Sequence, residues 1–226
     1  MDIKTMDLNG RRCHIYEGTP GSPAVIIGIF SGEDGYPERI VQETAALTDK
    51  PFSLIAFETE DWDGDFSPWK TEGLKEGEVF EGNGPKTLDW VTESAVTCAK
   101  QQLNCSEIYA AGYSLAGLFA LWSIYNTDVL AGAVCCSGSL WFEGWMDYAA
   151  KTQPAENSKV YISLGGKEEK SPVQIISTIG TCTREMDKLL EANANISAHK
   201  LEWNKGGHFA DSAKRLAKGI AWILES

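Results

Sequence analysis

GYSLAG, residues 112–117, sets one serine among glycine, alanine and leucine. Before it runs EIYAA (107–111), short and strand-like; after it runs LFALWSIY (118–125), apolar and unbroken, as a buried helix requires. A strand, a tight turn and a helix therefore meet at Ser114. A serine on so sharp a turn takes a strained backbone conformation and projects its hydroxyl. Residues two before and two or three after it must be small, and here they are Gly112, Ala116 and Gly117. The helix starting beyond the turn leaves the backbone N–H of Leu115 free to receive an oxyanion.

The flanking chain repeats this alternation. AVIIGIF (24–30) is a continuous apolar run, β-branched in its middle, which predicts a strand buried on both faces and so a parallel sheet. PFSLIAF (51–57), LAGAVCCSG (130–138), KVYISLGG (159–166) and NISAHKLEW (195–203) read as further strands. YPERIVQETAAL (36–47), KTLDWVTESAVTCAKQQL (86–103), EGWMDYAAK (143–151), the second half of residues 171–194, and DSAKRLAKGIAWIL (211–224) carry helical spacing. Asn9-Gly10 between two short runs is a strong hairpin signal. Residues 58–85, rich in Gly, Asp, Glu and Trp, show no periodicity and read as a long functional excursion. The expectation is a mostly parallel central sheet with an antiparallel N-terminal hairpin and helices on both faces. With no repeat, linker or separate lid domain, residues 1–226 read as a single domain.

The bulk properties narrow the function. A net charge of −12 repels phosphate backbones and anionic lipid, which argues against nucleic acid as a partner. No apolar stretch reaches the ~18 residues of a membrane span, so no membrane partner is expected. MDIKTMDLNG lacks the basic and apolar regions of a signal peptide, and the default location is cytoplasmic, with reduced thiols. The six cysteines form no CxxC pair and no zinc spacing with histidine. Asp61, Asp63 and Asp65 alternate, but without the glycine that a calcium loop needs next they read as solvated loop acids. No metal and no cofactor is expected.

The turn around Ser114 resembles the nucleophile elbow of α/β-hydrolases, G-x-S-x-G, with Ala116 where the second glycine usually stands. With SLGGKEE (163–169) and GGHF (206–209), the chain is similar to the small serine esterases of that superfamily, a group including esterase D and the siderophore esterases. The resemblance implies an α/β-hydrolase fold and a serine, acid and histidine in that chain order. Of three histidines, His14 precedes the serine and His199 sits inside a strand-like run; His208 lies in a glycine-rich loop after the last strand. His208 is thus the expected base. The superfamily pattern apolar–Gly–x–x–acid gives Glu168 when counted from Gly165, and Glu169 when counted from Gly166; Gly165 directly follows the strand, which favours Glu168. The acid is a glutamate, which the fold permits.

The oxyanion loop is FSGEDG (30–35) rather than an HGGG-type sequence, so its expected donors are backbone groups, at Leu115 and at Phe30 or Ser31, with Ser31 preferred. Trp62, Trp69 and Trp141 are candidate pocket walls, against the alternative that they anchor irregular segments. These residues together predict a serine hydrolase cleaving a small-molecule carboxylic ester through an acyl-enzyme. The same triad serves a thioesterase or an acyltransferase. A non-catalytic binding protein on this fold would be expected to have lost the serine or the histidine, and both are present. The sequence names neither the ester nor an oligomeric state.

Overall fold

A computed structural model describes residues 3–33 and 35–226. The hairpin forms from β1 (Ile3–Leu8) and β2 (Arg11–Tyr16), paired antiparallel from Ile3↔Tyr16 to Leu8↔Arg11. Asn9 and Gly10 between them have φ of +48° and +84°, the left-handed pair that a type I′ turn demands. Then follow β3 (Ala24–Phe30), α1 (Tyr36–Ala45) and β4 (Ser53–Thr59). The sheet is completed by β7 (Ile108–Tyr113), β8 (Gly132–Cys136), β9 (Ser158–Gly165) and β10 (Ile196–Asn204), once the short hairpin of β5 (Lys70–Glu72) and β6 (Val79–Glu81) is set aside. Its order is β1-β2-β4-β3-β7-β8-β9-β10, parallel from β4 onward.

Side chains of successive strand residues point to opposite faces, and the core divides accordingly. Val25, Ile27 and Ile29 pack with Ile40 and Val41 of α1 and with Leu216, Ile220 and Ile223 of α8 (Ser212–Glu225). Ile26, Ala110 and Ile162 face the other way. There they meet α3 (Gly84–Trp90), α4 (Leu115–Ser123), α5 (Trp145–Lys151) and α7 (Ile179–Ala192). From Trp90 the α3 helix continues through wider π-type turns over Val91–Ala95 and Cys98–Gln102. Among the described residues no helix is long and apolar enough to cross a membrane.

The excursion after β4 is more ordered than its composition suggests. It holds a short helix, α2 (Trp62–Asp65), and the β5–β6 hairpin. Phe66 is fully buried because β3 carries Gly28; a Cβ there would lie 2.2 Å from the Phe66 ring. Asp61 accepts the Gly64 N–H and so caps α2, while Asp65 accepts from Arg11 Nη1 at 2.8 Å and Thr59 Oγ1 at 2.6 Å. Two of the three alternating aspartates thus hold local structure, Asp61 while remaining exposed and Asp65 half-buried.

Candidate active site

Strand succession reverses between β3 and β7: β3 is followed by β4 on one side, while β7 is followed by β8 and β9 on the other. In an open α/β sheet a crevice opens at that point beyond the strands' carboxyl ends. Here it is lined by residues 27–30 of β3 and by Gly112, Tyr113 and Ser114.

Ser114 has φ +59° and ψ −125°, a region few residues other than glycine enter, at a cost of about 1–3 kcal/mol. The surrounding backbone holds it there. Its N–H donates to Cys136 O at 3.0 Å, and its C=O accepts from Gly117, Leu118 and Ser139 N–H. The small neighbours are needed: a Cβ on Gly112 would sit 2.1 Å from Ala116 O. Gly112→Ala should therefore lower stability by at least about 2 kcal/mol, read as a fall in the urea midpoint, because the atoms it meets, Ala116 O and C and Gly117 N, are all backbone.

His208 reaches the serine from the loop between β10 and α8. Its Nε2 lies 3.1 Å from Ser114 Oγ and its Nδ1 lies 2.8 Å from Glu168 Oε2. Glu168 opens a single 3-10 turn (Glu168–Lys170) directly after β9, with its side chain only 5% exposed. Its other oxygen, Oε1, accepts from Ser137 Oγ at 2.7 Å, Gly165 N–H at 2.8 Å and Arg215 Nη1 at 3.0 Å. Burial pushes the Glu168 carboxyl up, but hydrogen bonds from His208, Ser137 and Gly165 outweigh it and hold the group below its ordinary value. Glu169 faces away and pairs with Arg184 at 3.1 Å. Of the other histidines, His14 bonds Glu58 at 2.7 Å at the far side of the sheet, and His199 lies 3.5 Å from Asp187.

Among the expected oxyanion donors, Leu115 is the first residue of α4, and its N–H has no partner among the described residues. Ser31 is a correction. Strand N–H groups point alternately to the two neighbouring strands. Ala24 N–H goes to Glu107 O on the β7 side, whereas Ser31 N–H goes to Thr59 O on the β4 side, at 3.0 Å. The even-numbered N–H groups of β3 therefore face β7. Phe30 lies beyond the last β3–β7 pair, Ile27↔Ala111, so its N–H faces the gap beside the elbow.

Two cavities, of about 340 and 420 Å³, meet at Ser114, His208 and Phe209. Trp62 lines the first, stacked on Phe30 with centroids 4.7 Å apart; Trp141 lines the second. Trp69 lines neither. Its Nε1 donates to Glu143 O at 3.0 Å and its ring packs on Phe142 and Tyr148, so it anchors the excursion to the segment before α5. Among the described residues no cluster of His, Cys, Asp or Glu could hold a metal ion.

Sequence reasoning missed Arg215, Ser137 and Tyr113. Arg215 is 3% exposed and donates to all three of Tyr113 Oη, Ser137 Oγ and Glu168 Oε1. The signal was its spacing to Gly219, one turn on: a Cβ at Gly219 would meet Val134 at 2.3 Å, so α8 touches the sheet there and Arg215 lies over the strand ends.

No protein-family model matches the sequence, and no curated protein matches it. Solved structures do. An IroE-like serine hydrolase from Shewanella oneidensis superposes with a TM-score of 0.82 at 14% identity, over 99% of this chain and 80% of that one. The siderophore hydrolase EstA from Aspergillus nidulans gives 0.77 at 13% identity, over 99% and 94%. Est1E from Butyrivibrio proteoclasticus gives 0.57 at 13%, over 100% and 98%. Sheet order, hairpin, elbow and these superpositions agree: the chain has the α/β-hydrolase fold, and its structural neighbours are serine hydrolases and siderophore hydrolases.

Proposed function

We propose that the protein is a serine ester hydrolase acting on a small-molecule ester. The observation that carries this reading is the unbroken chain of contacts from Ser114 Oγ through His208 to Glu168, at 3.1 and 2.8 Å, on a strained turn at the mouth of a crevice. Ser114 Oγ attacks the ester carbonyl while His208 Nε2 takes its proton. The tetrahedral oxyanion is held by the N–H groups of Leu115 and Phe30. Collapse expels the alcohol, protonated by His208, and leaves an acyl group on Ser114. Water, deprotonated by His208, then attacks that acyl group and releases the acid and the free serine. Glu168 keeps the proton of the neutral imidazole on Nδ1 and stabilises the imidazolium formed in both steps.

A fluorophosphonate probe tests this directly. It should form an adduct at Ser114 in the wild-type protein; a protein that turns over no p-nitrophenyl ester and takes no label is a binding module instead. The same assay probes size. Cavities of about 340 and 420 Å³ are at the small end for ligand sites, and bulky Phe30, Trp62 and Trp141 wall them. Acetyl to butyryl esters should be hydrolysed roughly tenfold or more faster, by kcat/KM, than dodecanoyl esters, since a long acyl chain has to displace the packed aromatic walls to be accommodated. A maximum at long chains contradicts the pocket assignment.

A further inference from the structure

Arg215 makes contacts that a helix of the core has no need of. Its Nη1 lies 3.0 Å from each of Glu168 Oε1, Ser137 Oγ and Tyr113 Oη. Its Nη2 donates to Lys205 O at 2.9 Å and Gly207 O at 3.0 Å, the carbonyls on either side of Gly206. Tyr113 Oη, held by the same guanidinium, donates in turn to His208 O at 2.6 Å. One side chain thus joins the acid to the loop that carries the base: it grips that loop on both sides of Gly206, just before His208, and holds the tyrosine that bonds His208 O.

We infer that Arg215 is a positioning residue of the proposed hydrolase: it fixes the Glu168 carboxylate and the 205–208 loop relative to each other, and acts on the reaction only through that pair. The inference rests on the Ser114–His208–Glu168 reading. Three considerations support it. First, Arg215, Ser137 and Gly165 together occupy Oε1, which leaves Oε2 as the oxygen for His208 Nδ1. Second, the loop needs an external tether, because Gly206 (φ +96°) and Gly207 give it little stiffness of its own. Third, a planar fork of N–H donors can hold a carboxylate and two carbonyls at once, which an ammonium on a flexible stem cannot. A buried ion pair is seldom more stabilising than apolar packing of the same volume, so fold stability alone gives little reason for this one.

The test is a double-mutant cycle in kcat with p-nitrophenyl acetate. Wild-type turnover that Ser114→Ala abolishes first establishes the hydrolase reading; without it that reading fails and the cycle is not at issue. Arg215→Gln should then lower kcat by roughly 10–10²-fold with KM little changed, the scale seen when a partner orienting a functional ligand is lost. In a Glu168→Gln background the same substitution should lower kcat by a clearly smaller factor, because the carboxylate half of the pair it fixes is gone and only the loop contacts are left to lose. Arg215→Lys keeps the charge but not the loop contacts, should fold if Arg215→Gln does not, and should show a smaller loss with the same coupling. Equal losses in both backgrounds, or no loss in the wild-type background, overturn the inference.

Discussion

Ser114→Ala is expected to lower kcat for p-nitrophenyl acetate by about 10⁶-fold while leaving the thermal midpoint nearly unchanged, the loss seen when a triad serine is removed elsewhere. The hydroxyl makes one side-chain contact, to His208 Nε2, and fills no part of the core. The proposed covalent step, by contrast, goes through this oxygen, which lies 3.1 Å from His208 Nε2. His208→Ala should fall to a similar level, because the two groups act as a unit and their losses do not add. His14→Ala and His199→Ala should keep near wild-type kcat: one is engaged with Glu58 and Thr5 on the β1–β2 hairpin side, the other with Asp187 beside β10. Full turnover in Ser114→Ala, or loss in His199→Ala, would remove the site from this crevice.

Glu168→Gln should lower kcat by about 10⁴-fold, the effect of neutralising the orienting carboxylate in a serine protease triad. Glu169→Gln should change it less than about twofold, since its partner is Arg184 at the surface. The two substitutions also separate in stability. Arg215 and Glu168 are 3% and 5% exposed, so removing the negative charge leaves a buried guanidinium uncompensated, at a cost of about 3–5 kcal/mol. The pH dependence of that cost has a definite sign. The folded-state carboxyl is held below its ordinary 4.5, so its contribution is present above that value and is lost as the pH falls through the folded-state value. The stability gap between wild type and Glu168→Gln, measured by urea unfolding, should be full at pH 7 and shrink as the pH drops below 4.5. If the two variants exchange behaviour, the acid is one residue further on. If neither lowers kcat, the carboxylate comes from another loop or the site is a dyad.

Much of the architecture is legible along the chain because parallel strands buried on both faces must be apolar throughout. AVIIGIF and the run at 159–165 could be little else, and Asn9-Gly10 announces the hairpin. Ser114, Glu168 and His208 came as a set for a different reason, the resemblance to the small serine esterases, whose serine–acid–histidine order and apolar–Gly–x–x–acid pattern fall on these positions. What stayed hidden depends on partners distant in sequence. Whether Ser31 or Phe30 has a free N–H is a matter of strand parity, which no single strand reveals. Trp62 and Trp69 sit seven residues apart in one excursion, yet one stacks on Phe30 beside the crevice and the other closes on Phe142. Arg215 reads as one more basic residue of an amphipathic helix until Gly219 is seen to bring that helix against Val134.

The 94 residues separating Ser114 from His208 set an order of events during synthesis. At about 5–20 residues per second, a growing chain carries the serine for roughly 5–20 s before the ribosome adds the histidine, and Arg215 comes later still. Through that interval the proposed nucleophile lacks the imidazole that lies 3.1 Å from its oxygen in the folded protein. On the proposed triad, the site is therefore complete only once the loop that carries His208 and the helix that follows it, with Arg215, have been made.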